Sequence, residues 1–424
     1  EALGSRYDEF AQLGVGFQLG REYLEDLGRF EFLFVAPGVP KNLPEIVLAQ
    51  RNGTILSSEM NLFFEECQAR IIGITGSSGK TTTTTLVAEL LSASGFSVRV
   101  GGNIGEPLLE EVEAIGADTW VVLELSSFQL QLLQRSPEIA LVTNVSPNHL
   151  DIHPDMDDYI DAKKRIYKYQ NPRDWLVVNA DNEITRAMAE EAAGQVAWFS
   201  RLDQPRRGAY VVDDRVMLTR EDHLVEVCHI NEIRLLGDHN VENILGAVAV
   251  ADLVGCGPEA MHDVITSFAG VAHRLEFVQE TDGIRYYNDS KATTPTGTIA
   301  ALHSFDQPLI LIAGGYDKHL PFDEMAEVVI DQAKVVVLLG DTRDQIAKAI
   351  EDAGTERQQL PLVFKVKDMA EAVACARNHA EKGDAVLLSP ACASYDMFRS
   401  FEERGDEFRR IVQSIATQRI PTHS

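Results

Sequence analysis

The sequence predicts an α/β protein with mainly parallel sheets, organised as three domains over residues 1–68, 69–271 and 272–424. Three observations support this. Ile71-Ile72-Gly73-Ile74-Thr75-Gly76-Ser77-Ser78-Gly79-Lys80-Thr81 reads as a strand, a glycine loop and the start of a helix. From Ala69 onward, short apolar runs alternate with helical patterns, as expected of strands covered by helices on both faces. A second block of the same alternation begins near Val271.

In the first domain, Arg29–Ala36 is a buried-strand candidate stopped by Pro37-Gly38-Val39-Pro40. A helix over Pro44–Gln50, a strand over Gly53–Leu56 and a helix opened by Ser58 follow. In the second, the glycines Gly73, Gly76 and Gly79, spaced by three, let the backbone curl so that its N–H groups can face phosphate oxygens. The helix behind them adds partial positive charge. Lys80 can reach terminal phosphates, and the hydroxyls of Thr81 and Thr82 follow, Thr81 at a Mg²⁺ position. This makes the central domain of the P-loop ATPase type. Common nucleotide loops would place a glycine at Ile74; here it stands one place earlier, at Gly73. Further strands are expected over Ser97–Val100, Thr119–Leu123, Ile139–Asn144 and Trp175–Asn179. A β-rich stretch follows near Val196–Phe199, Ala209–Leu218 and Leu224–His229. Asp238-His239-Asn240-Val241-Glu242-Asn243 then opens a long apolar helix ended by Gly255-Cys256-Gly257-Pro258. In the third domain, strands are expected over Ile284–Asn288, Pro308–Ala313, Lys334–Leu339, Leu362–Val366 and Ala385–Leu388.

The bulk numbers narrow the function. Over 424 residues, 65 acidic against 38 basic side chains leave a net charge of −27, which repels polyanions and disfavours nucleic-acid binding. Five scattered cysteines form no CxxC pair, so neither a zinc site nor a disulfide framework is expected. No apolar run approaches a membrane span and the first residues lack a signal-peptide pattern. A cytoplasmic protein, not inserted in a membrane, is the expectation. Glu1-Ala2-Leu3-Gly4 is no initiation site, and 69 residues are few for a complete doubly wound domain, so an upstream start is expected to be missing.

In open α/β sheets ligands bind beyond the carboxyl ends of the strands. Glu124 follows one such strand, where it can ligate Mg²⁺ or cap the next helix. His149 follows another and reads equally as ligand or structural histidine. Asp161–Lys168, with Lys163 and Lys164, reads on charge alone as a solvated helix face. Asn288-Asp289-Ser290-Lys291-Ala292-Thr293-Thr294, Ala313-Gly314-Gly315-Tyr316-Asp317-Lys318 and Ser389–Ser394 are three polar strand ends in one block. Together they suggest a binding face. Cys392 reads as a buried small residue rather than a nucleophile.

Taken together and in order, these motifs resemble the Mur ligases of bacterial cell-wall synthesis. They are Gly73-x-x-Gly76-x-x-Gly79-Lys80-Thr81, Gly101-Gly102-Asn103-Ile104-Gly105, Glu124-Leu125-Ser126-Ser127-Phe128-Gln129 and Asn148-His149-Leu150-Asp151. Asn288–Thr293 with Ser389–Ser394 is similar to the branch that joins D-glutamate to UDP-N-acetylmuramoyl-L-alanine. The resemblance implies Rossmann-like first and third domains, the first incomplete here because the family's first strand and uridine-phosphate loop are absent. It implies ATP, two Mg²⁺ ions and an acyl-phosphate route. Lys80 would hold the β/γ-phosphates. Thr81 and Glu124 would hold one Mg²⁺, and His149 with a carbamylated Lys163 the second. Gly76, Ser78, Gly79 and Thr82 would line the phosphates, His239, Asn240 and Asn243 the adenine, and Asp289 the ribose. Arg274 would reach the phosphates. Asn103, Ser126 and Gln129 would touch the muramoyl-alanine end. Thr293, Lys318, Ser394 and Phe401 would hold D-glutamate, with Lys291 nearby. Thr294 stands where related enzymes often carry asparagine. A monomer is expected. Folylpolyglutamate synthase shares the ATP core but not the Ser389–Ser394 stretch. A catalytically silent regulator would have lost the metal and acceptor residues that this chain retains.

Overall fold

The computed structural model describes residues 6–105, 107–148, 153–220, 223–235, 237–305, 307, 309–355, 357 and 360–417. The chain divides into two compact units. One comprises Glu1–Ser78, Ser97–Leu176 and Ile184–Val196, the other Gly79–Phe96, Val177–Glu183 and Ala197–Ser424.

In the first unit, β1 (Phe32–Phe34) and β2 (Ile55–Ser57) pair in parallel, and the helix Pro44–Arg51 connects them. Leu27, Val35, Ile46, Ala49 and Leu56 form their small core. The strand expected over Arg29–Ala36 contracts to three residues. Arg29 closes a 3-10 turn onto Asp26, and Pro37 offers no N–H to continue the ladder. Ser58 caps the helix Glu59–Glu66 by accepting from the Asn61 N–H. Next come β3 (Arg70–Thr75), β4 (Val98–Gly102), β5 (Trp120–Glu124) and β6 (Ile139–Val142). They lie in the order β6-β3-β5-β4, all parallel. β5 and β6 are buried along their whole length, the reason they read as unbroken apolar runs. β7 (Trp175–Asn179) carries the chain from the first unit to the second.

In the second unit, β8 (Gln195–Ser200) pairs in parallel with β9 (Gly208–Val212), which pairs antiparallel with β10 (Arg215–Arg220). β11 (His223–His229) completes this run against β10. The single stretch expected over Ala209–Leu218 is therefore a hairpin. Asp213 (φ 48°) and Asp214 (φ 58°) are both left-handed, the conformation a two-residue turn requires. The helix Lys80–Ala93 packs on the helix Asp238–Val254, which ends at Gly255 (φ 103°) as the sequence predicts.

The remaining strands are β12 (Glu276–Thr281), β13 (Ile284–Asn288), β14 (Leu309–Ala313), β15 (Ala333–Leu338), β16 (Leu362–Lys365) and β17 (Ala385–Leu388). They form a sheet in the order β12-β13-β17-β14-β15-β16, parallel except for the antiparallel edge strand β12. β12 was not expected. Its half-buried residues give no apolar run, and the signal that marks it is the Asp282-Gly283 turn behind it. Alternate residues serve opposite cores. Leu309, Leu311, Val336, Leu338 and Leu387 meet helices Pro295–Leu302, Asp323–Gln332 and Arg343–Ala353. Ile310, Ile312, Val335, Val337 and Leu388 meet Met369–His379 and Phe401–Thr417. Among the described residues no helix is long and apolar enough to cross a membrane.

Candidate active site

In the first unit, the loop after β3 is latched to the end of β6. The Ser77 N–H donates to Asn144 O at 2.8 Å, and the Thr143 hydroxyl donates to Ser78 O at 2.6 Å. A Cβ on Gly76 (φ 153°) would lie 1.9 Å from Thr143 Oγ1, so only glycine fits this close approach. Gly73 plays a different part. It lies inside β3, where a Cβ would meet the Pro137 ring at 2.8 Å, so it is a packing glycine and not part of the loop.

Lys163 is 1% exposed and donates to Gly76 O at 2.8 Å, with its ammonium 4.6 Å from the centre of the Tyr159 ring. Lys164 instead reaches Glu191 at 2.7 Å on the outside. The charge run that reads as one solvated face thus contains one lysine turned inward. Sequence periodicity does not separate the two.

Glu124, 2% exposed at the end of β5, accepts from Asn103 Nδ2 at 2.8 Å through Oε1. Its other oxygen, Oε2, is buried with no hydrogen-bond partner among the described residues. An orphaned carboxylate oxygen in a dry site is costly unless a cation completes it, so the donor set here fits a hard divalent ion. No group of three His, Cys, Asp or Glu residues that could hold a metal occurs among the described residues. Mg²⁺ needs no such cage when substrate phosphates supply ligands. Ser126 and Gln129 form a capping box. The Ser126 hydroxyl accepts from the Gln129 N–H, and Gln129 Oε1 accepts from the Ser126 N–H at 3.0 Å. His149 lies outside the described residues.

In the second unit, Thr81 and Thr82 are buried in the first turn behind Lys80. A Cβ on Gly79 (φ 79°) would lie 2.1 Å from Asn243 Oδ1. Asn243 in turn donates to Asn240 Oδ1 at 3.1 Å, so the loop's last glycine and the two asparagines form one contact set. His239 precedes Asn240 in the first turn of the same helix and is exposed.

The three polar strand ends come together because β17 lies between β13 and β14. Asp289 accepts from the Ser389 hydroxyl at 2.8 Å and from the Leu275 N–H at 3.2 Å. The turn carrying Arg274 is strained, with His273 (φ 63°) and Leu275 (φ 43°) both left-handed. The Asp289 and Asn288 side chains hold it in place. Lys318 lies at hydrogen-bond reach of Thr293 O, 3.4 Å away, and Lys291 sits 5.9 Å from the Phe401 ring centre. Ser394 is buried behind Lys318's loop, where the Tyr316 N–H donates to Ala393 O. The sequence reading missed Arg404. This buried guanidinium donates to the carbonyls of Cys392, Ala393 and Ser290, tying two of the strand ends together. The same helix carries Arg409 and Arg410, and periodicity cannot single out the one arginine that turns inward.

Burial pushes the Asp289 carboxyl up to about 7, against the stabilising hydrogen bond from Ser389. Between pH 4 and 7 the folded chain therefore holds a proton that the unfolded chain has released. This group's contribution to stability is full below about pH 4 and is lost as pH rises through 7, at about 1.4 kcal/mol per pH unit at most. Asp289→Asn should remove that slope. Denaturant unfolding of both proteins from pH 4.5 to 7.5 checks it, the variant gaining relative stability as pH rises.

A family model described as the Mur ligase middle domain matches residues 74–251, and one described as the Mur ligase glutamate ligase domain matches residues 273–392. The chain belongs to the Mur ligase family. Among its Mur ligase relatives, the UDP-N-acetylmuramoylalanine–D-glutamate ligase of Symbiobacterium thermophilum is 50% identical over 418 residues, covering 98% of this chain and 91% of the relative. Proteins of the same description from Clostridium novyi and Acetivibrio thermocellus are 47% and 46% identical. They cover 98% and 97% of this chain and 90% and 89% of the relatives. Among solved structures, a UDP-N-acetylmuramoyl-L-alanyl-D-glutamate–2,6-diaminopimelate ligase superposes with a TM-score of 0.61 at 23% identity, covering 83% of this chain and 79% of its own. MurF ligase from Thermotoga maritima, in complex with ADP, gives 0.56 at 17% identity over 93% and 100%. These two share the Mur ligase fold.

Proposed function

We propose that this Mur ligase joins D-glutamate to UDP-N-acetylmuramoyl-L-alanine at the expense of ATP, in cytoplasmic peptidoglycan-precursor synthesis. The observation that carries the reading is near-full-length likeness, at 45–50% identity, to relatives described as that ligase. The chemistry suits the residues. A carboxylate is a poor acylating agent. Transfer of the ATP γ-phosphoryl group to the alanine carboxylate oxygen gives an acyl phosphate and ADP. The D-glutamate amine then attacks the acyl carbon, phosphate leaves, and the ammonium formed loses a proton to give the amide. Positioning and charge neutralisation supply the catalysis.

In this reading Lys80 and the Gly76–Thr82 loop hold the phosphates, Asn240, Asn243 and His239 the adenine, Asp289 the ribose, and Arg274 the phosphates from the C-terminal part. Thr81 and Glu124 would hold one Mg²⁺, and His149 with a carbamate on Lys163 a second; ions bound there would supply charge neutralisation for the phosphoryl group in transfer. Asn103, Ser126 and Gln129 orient the alanine end. Thr293, Lys318, Ser394 and Phe401, with Lys291 close by, take D-glutamate, and Lys318 is the local counter-charge for an anion on an acidic protein. Residues 1–68, 69–271 and 272–424 serve the UDP-substrate, ATP and amino acid respectively, in a monomer.

Phosphate release should require ATP, UDP-N-acetylmuramoyl-L-alanine and D-glutamate together, with other amino acids at least 100-fold poorer in kcat/KM. A panel of D- and L-amino acids checks this. Release without preference for D-glutamate would refute the assignment.

A further inference from the structure

The first unit contains a side-chain relay, buried at its histidine and serine and half-exposed at its aspartate, that the proposed chemistry does not use. His153 is 1% exposed, and its Nδ1 lies 2.6 Å from Asp158 Oδ2. A carboxylate can only accept, so Nδ1 carries a proton and donates. Nε2 lies 3.0 Å from the Ser127 hydroxyl. The ring is clamped on both sides, stacked on Phe128 (centroids 5.3 Å apart, 14° between planes) and meeting Tyr159 edge-on at 5.1 Å. Tyr159 in turn contacts the Ser77 hydroxyl of the phosphate loop at 3.1 Å and presents its ring to Lys163.

The order Ser–His–Asp invites a comparison with an activated nucleophile. Ser127 is only 3% exposed, however, and its hydroxyl is turned into the protein, leaving no room for an attacking geometry on a bound substrate. What the relay can do is hold. Ser127 is the first residue of the short helix Ser127–Leu130, whose capping box presents Ser126 and Gln129. A four-residue helix has almost no stability of its own and takes its position from such side-chain contacts.

We propose that His153 is a positioning residue for the donor substrate. Braced by Asp158, Phe128 and Tyr159, it fixes Ser127 and so sets the register of Ser126 and Gln129 against the muramoyl-alanine end. This rests on the function proposed above. It also assigns a task to a histidine whose sequence context, Ile152-His153-Pro154, carries no motif of its own.

The test is steady-state kinetics of wild type, His153→Ala, Ser127→Ala, the double variant and His153→Gln, varying each substrate in turn. His153→Ala and Ser127→Ala should each raise KM for UDP-N-acetylmuramoyl-L-alanine about tenfold or more, leaving KM for ATP and D-glutamate within threefold. The double variant should be no worse than the poorer single one, because the two residues act as one unit. His153→Gln, whose amide can still reach Ser127, should recover most of the loss. A merely structural histidine would lower the melting temperature and shift all three KM values together, and Ser127→Ala would then be silent. Either result overturns the proposal. If wild type instead prefers a different amino acid while the donor-KM split persists, the D-glutamate assignment fails and the positioning role stands.

Discussion

Lys163→Ala is expected to lower kcat by about a hundred- to a thousandfold, the usual cost of removing one preorganised charge-stabilising group. Short carboxylates such as acetate or formate should restore part of the loss. The reasoning starts from the side chain's position. Lys163 is buried against Gly76 O and the Tyr159 ring, directly under the phosphate loop, whereas Lys164 is spent on Glu191 outside. In the proposed function, carbon dioxide adds to the Lys163 amine with loss of a proton, converting a cation beside the loop into an anion able to ligate Mg²⁺. Alanine removes both the ammonium and its carbamate, and a small carboxylate can occupy the vacated space. Loss of packing alone would cost stability without any rescue. Phosphate-release rates with and without added carboxylate decide the matter, and full activity in the unrescued variant would exclude the role.

Glu124→Gln should lower kcat by about a hundredfold or more and raise the Mg²⁺ concentration needed for half-maximal rate, while leaving the melting temperature unchanged or higher. The two effects point in opposite directions for a physical reason. The glutamine carbonyl can still accept from Asn103, so the polar contact that holds the end of β5 survives. The buried negative charge disappears, and with it the cost of an oxygen that has no partner among the described residues. If the residue were only a helix-capping acid, both rate and Mg²⁺ requirement would stay near wild type. Magnesium titrations of initial rate, with thermal unfolding in parallel, separate the two.

Much of the fold was legible because parallel strands buried on both faces leave unbroken apolar runs. β7, β13 and β17 fall on the expected residues, and the helix at Asp238 stops at Gly255 as its capping chemistry demands. Half-exposed elements left no such trace. β12 has no apolar run, and the hairpin at Asp213-Asp214 was hidden by β-forming residues on either side of a turn written with two aspartates.

The site divides along the same line. A phosphate loop is a local object. Gly76, Gly79, Lys80 and Thr81 lie within six residues, and the backbone conformations they need are dictated by their own side chains or lack of them. The sequence by itself therefore determined where the glycine loop lies and how its backbone curls, and its ordered motifs determined the family. Only the tertiary structure decided which of two adjacent lysines turns inward, that Gly73 packs inside a strand, and that β17 lies between β13 and β14 to gather three strand ends. It also decided that His153 reaches Ser127, 26 positions away. Burial and strand order arise from contacts between residues far apart in the chain, and no periodicity within one segment records which distant segment it will meet.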